Sequence, residues 1–222
     1  MKDSVAPSPR RRWVELLVLF GVGPWVISLG PRWLVLPVIM TGGAICLVAL
    51  LRDPTFRRGT LTGLAAARLG LRGVVLRALA VWAGLFVFAV LTQGLGGLFR
   101  LPRTRPVLWV AVMLLYPLLS VYPQELMYRT FFFHRYAALF KRPAALLAAN
   151  ALLFGWSHII VHNRVAMLLA TVGGALLAIS YQRWRSTVLV SVEHALYGNF
   201  IFSVGIGGMF VNGVRLLSHW IK

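Results

Sequence analysis

The sequence predicts an all-α protein, a polytopic transmembrane helix bundle of about seven spans, with six and eight as the bounds. Three observations predict it. Hydrophobic residues make up 59% of the chain and charged residues only 13%, against roughly 25% charged in a soluble domain. Apolar runs recur whose length approaches the roughly 20 residues needed to cross a hydrocarbon core. The basic residues fall mostly between those runs, where membrane topology selects for them.

In chain order, the first run, Trp13 to Gly30, carries one charge, Glu15, near its start. Trp33 to Leu51 and Ala78 to Phe99 carry none. Val107–Tyr122, Ala144–Val161, Val165–Tyr181 and Val188–Phe210 follow, two of them short enough to need polar neighbours to complete a span. The longest connection, residues 54–77, places Arg68 and Arg72 four apart among Leu and Ala, so an interfacial amphipathic helix is expected there. No repeat, long polar stretch or low-complexity segment divides the chain, so residues 1–222 read as a single integral membrane domain.

The formal net charge of +18 does not point to nucleic acid, because no soluble face remains to carry a basic footprint. Membrane lipid is the expected partner of the basic loops. The basic start, Met1 to Arg12, lacks a small-residue cleavage site after it and reads as a retained anchor with a cytoplasmic N-terminus. The Arg100–Arg105 loop then falls on the wrong side for the charge bias. The single cysteine, Cys46, lies in an apolar run and reads as a packing residue. Arginine far outnumbers lysine, which suggests a GC-rich bacterial genome and hence a bacterial inner (cytoplasmic) membrane.

The chemistry concentrates in the C-terminal half. Of five acidic residues, Glu125 and Glu193 fall within or beside predicted spans, as do Arg129, His158 and His194. A charge at mid-membrane costs about 2.5–3.5 kcal/mol on insertion scales, so Glu125, Arg129 and Glu193 unpaired would cost roughly 8–10 kcal/mol. Such residues are paired or functional. Glu125 and Arg129 are four apart and share a helix face, and Pro117 and Pro123 before them favour a kinked, cavity-lining helix. Glu125, His158 and His194 therefore come from three helices that could meet at one centre. The plainer alternative is a helix–helix hydrogen bond at each histidine and a Glu–Arg staple. His162 reads as an interface residue, and His134 and His219 as polar flanks.

These residues resemble the motifs of the CAAX-protease and bacteriocin-processing family of intramembrane proteases. Gln124-Glu125-Leu126-Met127-Tyr128-Arg129 is similar to its Glu-Glu-x-x-x-Arg motif, Phe154-Gly155-Trp156-Ser157-His158 to its Phe-x-x-x-His motif, and His194-Ala195-Leu196-Tyr197-Gly198-Asn199 to its His-x-x-x-Asn motif. The resemblance covers about residues 107–210. It departs at two positions: Gln124 replaces the first Glu, and Gly198 stands at the Asn position, with Asn199 displaced by one residue.

The resemblance implies an endopeptidase acting on a membrane-associated peptide or protein. A motif-one Glu and the motif-two His would activate water, and the motif-three His and Asn would hold the oxyanion. Gln124 has no useful proton affinity near neutrality, so Glu125 would have to be the base with His158, from about 100° round the helix. His194 would stabilise the oxyanion, aided by Asn199, with Arg129 and Phe154 in support. Metal-independent glutamate chemistry is expected, with zinc on Glu125, His158 and His194 as the other possibility. Two other classes stay open: a non-catalytic membrane binding or immunity protein on the same fold, and a small transporter with an intramembrane proton relay. Substrate identity and oligomeric state are not legible.

Overall fold

A computed structural model describes residues 8–210. The stretch before Ser8 and the end beyond Phe210, including His219, lie outside the described residues. Among the described residues seven long helical segments succeed one another, with short helical turns between some of them and no strand. We label them α1 (residues 9–28), α2 (Val35–Arg52), α3 (Leu64–Gly97), α4 (Pro106–Leu139), α5 (Pro143–Val161), α6 (Arg164–Trp184) and α7 (Thr187–Val204). The segments containing α2 to α7 are long and apolar enough to cross a membrane, giving six candidate spans. α1 starts too charged to count by composition, with Arg10–Arg12 and Glu15. It nonetheless accompanies the bundle from end to end: Glu15 meets Arg135 and Tyr136 at one end of α4, Gly21 accepts from Trp156, and the Ser28 carbonyl meets His162 where α5 ends.

Charged side chains are buried within a largely apolar interior, and large apolar side chains face outward. Glu125, Arg129, Asn150 and Glu193 have no exposed surface, while Leu91 is 79% and Val107 is 83% exposed. Water would reverse that arrangement, and a hydrocarbon solvent accounts for it. The protein is an integral membrane protein.

Three expectations change. Residues 54–77 do not form a separate interfacial helix, because from Leu64 onward they are the first turns of α3, which runs unbroken past Arg68 and Arg72. The last span stops at Val204, where Gly205 takes φ 110° and the chain leaves the helix before Phe210. The expected Arg100–Arg105 loop is a short helix, Arg100–Thr104, and part of its charge serves local structure, since the Arg103 guanidinium donates to the carbonyls of Gly96, Leu98 and Phe99.

Local chemistry sets the helix ends. The Asn163 side chain accepts from the Ala166 amide at the start of α6, and Ser186 accepts from Leu189 at the start of α7, so each satisfies an otherwise orphaned donor. Gly63 takes φ 50° before α3 and sits so close to Ser186 that an added Cβ would come within 2.5 Å of the serine Cβ. Only glycine meets both demands.

The C-terminal half packs tightly on small residues. A Cβ on Gly155 would strike Thr171, and one on Gly174 would come within 2.9 Å of Phe154, so α5 and α6 approach nearly backbone to backbone. α3 is tied to α7 by Trp82, whose Nε1 donates 2.8 Å to the Leu196 carbonyl and whose ring stacks on Phe200. Arg77 on α3 pairs with the buried Glu193 at 2.9 Å, and Ser180 and Tyr197 complete that network from α6 and α7.

Candidate active site

α4 carries the first part of the site and is irregular where it does so. Two wide π turns, Pro117–Val121 and Leu126–Phe131, flank a single α turn, Tyr122–Glu125. Pro117 and Pro123 remove amide donors here, which the wider hydrogen-bond pattern accommodates. The result is a local change of register. Gln124 lines a cavity of about 600 Å3 among α1, α2, α4, α5 and α7. Glu125, its neighbour, is buried behind the wall with no exposed surface.

Of the two Glu125 oxygens, one is hydrogen-bonded among the described residues and the other has only an ion-pair contact. Oε1 accepts from His194 Nδ1 at 2.8 Å, and Oε2 lies 3.4 Å from Arg129 Nε, an ion pair one turn along α4. Arg129 is itself fully buried. Its guanidinium donates to Asn150 Oδ1 at 2.9 Å and sits 4.6 Å over the Phe154 ring. Asn150, on α5, also donates 2.5 Å to the Tyr128 carbonyl. Sequence reasoning did not single out Asn150; a buried amide on a predicted span was the available signal. The pair is incomplete: Glu125 Oε2 and Arg129 Nε lie within ion-pair range but have no hydrogen-bond partner among the described residues, so their attraction offsets only part of the desolvation.

His194 continues the chain of contacts. With Nδ1 on Glu125, its Nε2 lies 3.3 Å from the Tyr116 hydroxyl, and Tyr116 lines the cavity. His158 lines the same cavity from the end of α5. Its Nδ1 lies 2.9 Å from the Phe154 carbonyl. A carbonyl only accepts, so Nδ1 carries the hydrogen and Nε2 is left as an acceptor. Phe154 packs edge-on against both histidines, with centroids 5.0 Å from His158 and 5.6 Å from His194.

The structure thus joins Glu125, Arg129, His194 and Phe154 into one buried unit, and sets His158 beside it on the cavity wall with Gln124. Gln124 donates 2.7 Å to Ser120. Asn199 is not drawn to His194; its amide donates 3.3 Å to the Met113 carbonyl and fastens α7 to α4. Glu125, His158 and His194 are not arranged as a ligand set either: among the described residues no group of three or more His, Cys, Asp or Glu could hold a metal ion. Tyr116 went unnoticed in the sequence, where a tyrosine in an apolar run reads as an interfacial aromatic.

Against this geometry, residues 106–201 match a family model described as type II CAAX prenyl endopeptidase Rce1-like. The match covers α4, α5, α6 and most of α7, and every motif residue named above lies within it. It bears out the resemblance to the CAAX-protease and bacteriocin-processing family over this region. At the level of the family, the region is similar to a CAAX-type intramembrane protease. Neither a curated protein nor a solved structure matches the chain.

Proposed function

We propose that the protein is an intramembrane endopeptidase that hydrolyses a peptide bond of a membrane-associated protein or peptide held in the cavity between α1, α2, α4, α5 and α7. The observation that carries this reading is the pairing of two histidine systems at one cavity wall. His158 offers a free Nε2, and beside it a buried Glu125–His194 pair ends on the Tyr116 hydroxyl.

The chemistry follows from the atoms. Nε2 of His158 takes a proton from water, the water oxygen attacks the scissile carbonyl carbon, and the carbonyl π electrons move onto oxygen. The tetrahedral intermediate collapses, the carbonyl re-forms, the C–N bond breaks, and His158 returns the proton to the leaving amine. Gln124 orients the water as donor or acceptor but accepts no proton. Glu125 acts through His194, fixing its orientation and balancing the charge of Arg129. The apolar remainder of the wall suits a lipid-embedded substrate, and the family description makes a prenylated C-terminal peptide one candidate. The arginine-rich composition supports a bacterial cytoplasmic membrane as its location.

The test is cleavage by purified protein in proteoliposomes of membrane-tethered peptides, with and without an S-prenyl cysteine, alongside His158→Ala, Glu125→Gln and His194→Ala. Loss of cleavage in folded His158→Ala supports the reading, and undiminished cleavage overturns it. Inhibition by a chelator would require a metal and a different mechanism.

One observation favours a second reading, peptide binding without hydrolysis. The residue that meets the cavity at the first motif is an amide, Gln124, and the carboxylate beside it is buried. Saturable retention of a peptide that is never cut by wild type would establish that reading.

A further inference from the structure

Gly198 and Tyr116 occupy one space. A Cβ built on Gly198 would fall on the Tyr116 ring and hydroxyl, and would come within 2.7 Å of Cζ. The absent side chain is what lets the tyrosine ring lie flat against α7. On its other sides the ring meets Phe202 edge-on at 5.2 Å and His194 edge-on at 6.2 Å. The phenol is therefore clamped at the cavity wall, with its oxygen in a fixed position.

The hydroxyl is held but not consumed. Its one hydrogen-bond contact among the described residues, to His194 Nε2, is 3.3 Å long, against about 2.7–2.8 Å for a typical hydroxyl bond. A hydroxyl rotates to suit its partner, so its hydrogen can turn from His194 to an oxygen arriving in the cavity. The Glu125 carboxylate on Nδ1 keeps the imidazole from rotating and so keeps the phenol in register. Of the residues tied to Glu125 and His194 by hydrogen bond or ion pair, Tyr116 reaches the cavity wall, whereas Glu125, His194 and Arg129 do not line it.

We propose that Tyr116 is a catalytic residue, whose hydroxyl donates a hydrogen bond to the scissile carbonyl oxygen and strengthens it as that oxygen becomes an oxyanion. The assignment rests on the protease reading above. It makes Gly198 a permissive residue, required so that the phenol can occupy its seat. The Glu125–His194 pair becomes the positioning system of that phenol.

The experiment compares two pools of lipid-anchored peptides of mixed sequence, identical except that one carries a tetrahedral, anionic phosphinate in place of the central peptide bond. Binding to wild type, Tyr116→Phe and Tyr116→Ala/Gly198→Asn is measured in detergent, with thermal melting as the folding control. The expected result is that wild type prefers the phosphinate and Tyr116→Phe loses about 10²-fold of that preference, the scale of a lost oxyanion donor, while parent-peptide binding falls far less, by the scale of one neutral hydrogen bond. The double variant, which returns an amide donor to the same space, regains part of it. A preference kept intact by Tyr116→Phe overturns the assignment and leaves the protease reading standing. A wild type with no preference for the phosphinate overturns the protease reading itself.

Discussion

Gln124 and Glu125 are adjacent in sequence and lie on opposite sides of one wall: Gln124 lines the cavity, and Glu125 is buried against Arg129 and His194. The π turns on either side of Tyr122–Glu125 keep them there. Exchanging chemistry at the two positions should therefore have opposite effects. Gln124→Glu sets a carboxylate on the cavity that His158 also lines and is expected to raise the cleavage rate at least tenfold, short of or within the roughly 10²–10⁴-fold of general-base assistance. Turnover of the best tethered peptide checks this, and no increase would mean that the wall position does not contact the attacking water.

Glu125→Gln removes one half of a fully buried pair and leaves Arg129 uncompensated. The expected cost is about 3–5 kcal/mol of stability, read as a large fall in thermal midpoint in detergent. Glu125→Gln combined with Arg129→Met should recover much of that loss without recovering cleavage, because His194 remains unanchored. A double variant as unstable as the single one would contradict the charge-balance account.

Glu193 sits beside His194 in sequence but serves a different purpose. It accepts from Arg77 at 2.9 and 3.2 Å and from Tyr197 at 2.7 Å, joining α3 to α7 away from the cavity. Glu193→Gln should destabilise by about 2–4 kcal/mol, below the full cost of breaking a buried pair because Arg77 reaches partial exposure. The turnover of the folded fraction should stay within a factor of about three of wild type, well short of the tenfold per 1.36 kcal/mol that a lost catalytic contact would cost. A selective loss of turnover at unchanged melting temperature would place Glu193 in the catalytic unit.

A pH effect is expected at the loop beyond α2. The Thr55 hydroxyl, and after it His134, hold the Asp53 carboxyl down at about 2, below the roughly 3.9 of an unfolded aspartate. A lowered folded value means that the stabilisation is complete above the unfolded value and is lost as pH falls from about 4 through about 2. Melting curves of wild type and Asp53→Asn should differ at neutral pH and converge over that window. The carboxyl is largely solvated, so the difference should be small. A gap that persists at about pH 2 would tie it to something other than ionisation.

How much of this was legible in the sequence varies with the range of the interaction. That the chain forms helices of spanning length follows from its apolar runs, whereas several helix ends do not, since the caps at Asn163 and Ser186 and the turn at Gly63 show only in the structure. That Glu125, Arg129 and His194 would be buried inside the bundle and His158 would face its cavity was also legible, because an ionisable group inside an apolar run is costly if it faces lipid. α3 extended further than expected since Arg68 and Arg72 lie on exposed positions and do not break a helix.

What the sequence by itself determined is therefore the solvent, the class of fold and the short set of residues that chemistry could use. Tertiary structure alone decided which of them meet. Arg77 and Glu193 are 116 positions apart, and no local pattern pairs them. The side of the wall taken by Gln124 and Glu125 depends on two π turns that shift register by a fraction of a turn. Tyr116 gained its place only because Gly198, on another helix, left room for it. Periodicity and insertion cost act along the chain and can be read from it, whereas the facing of a kinked helix and the filling of a missing side chain are settled by close packing between segments, where volume excludes all but one arrangement.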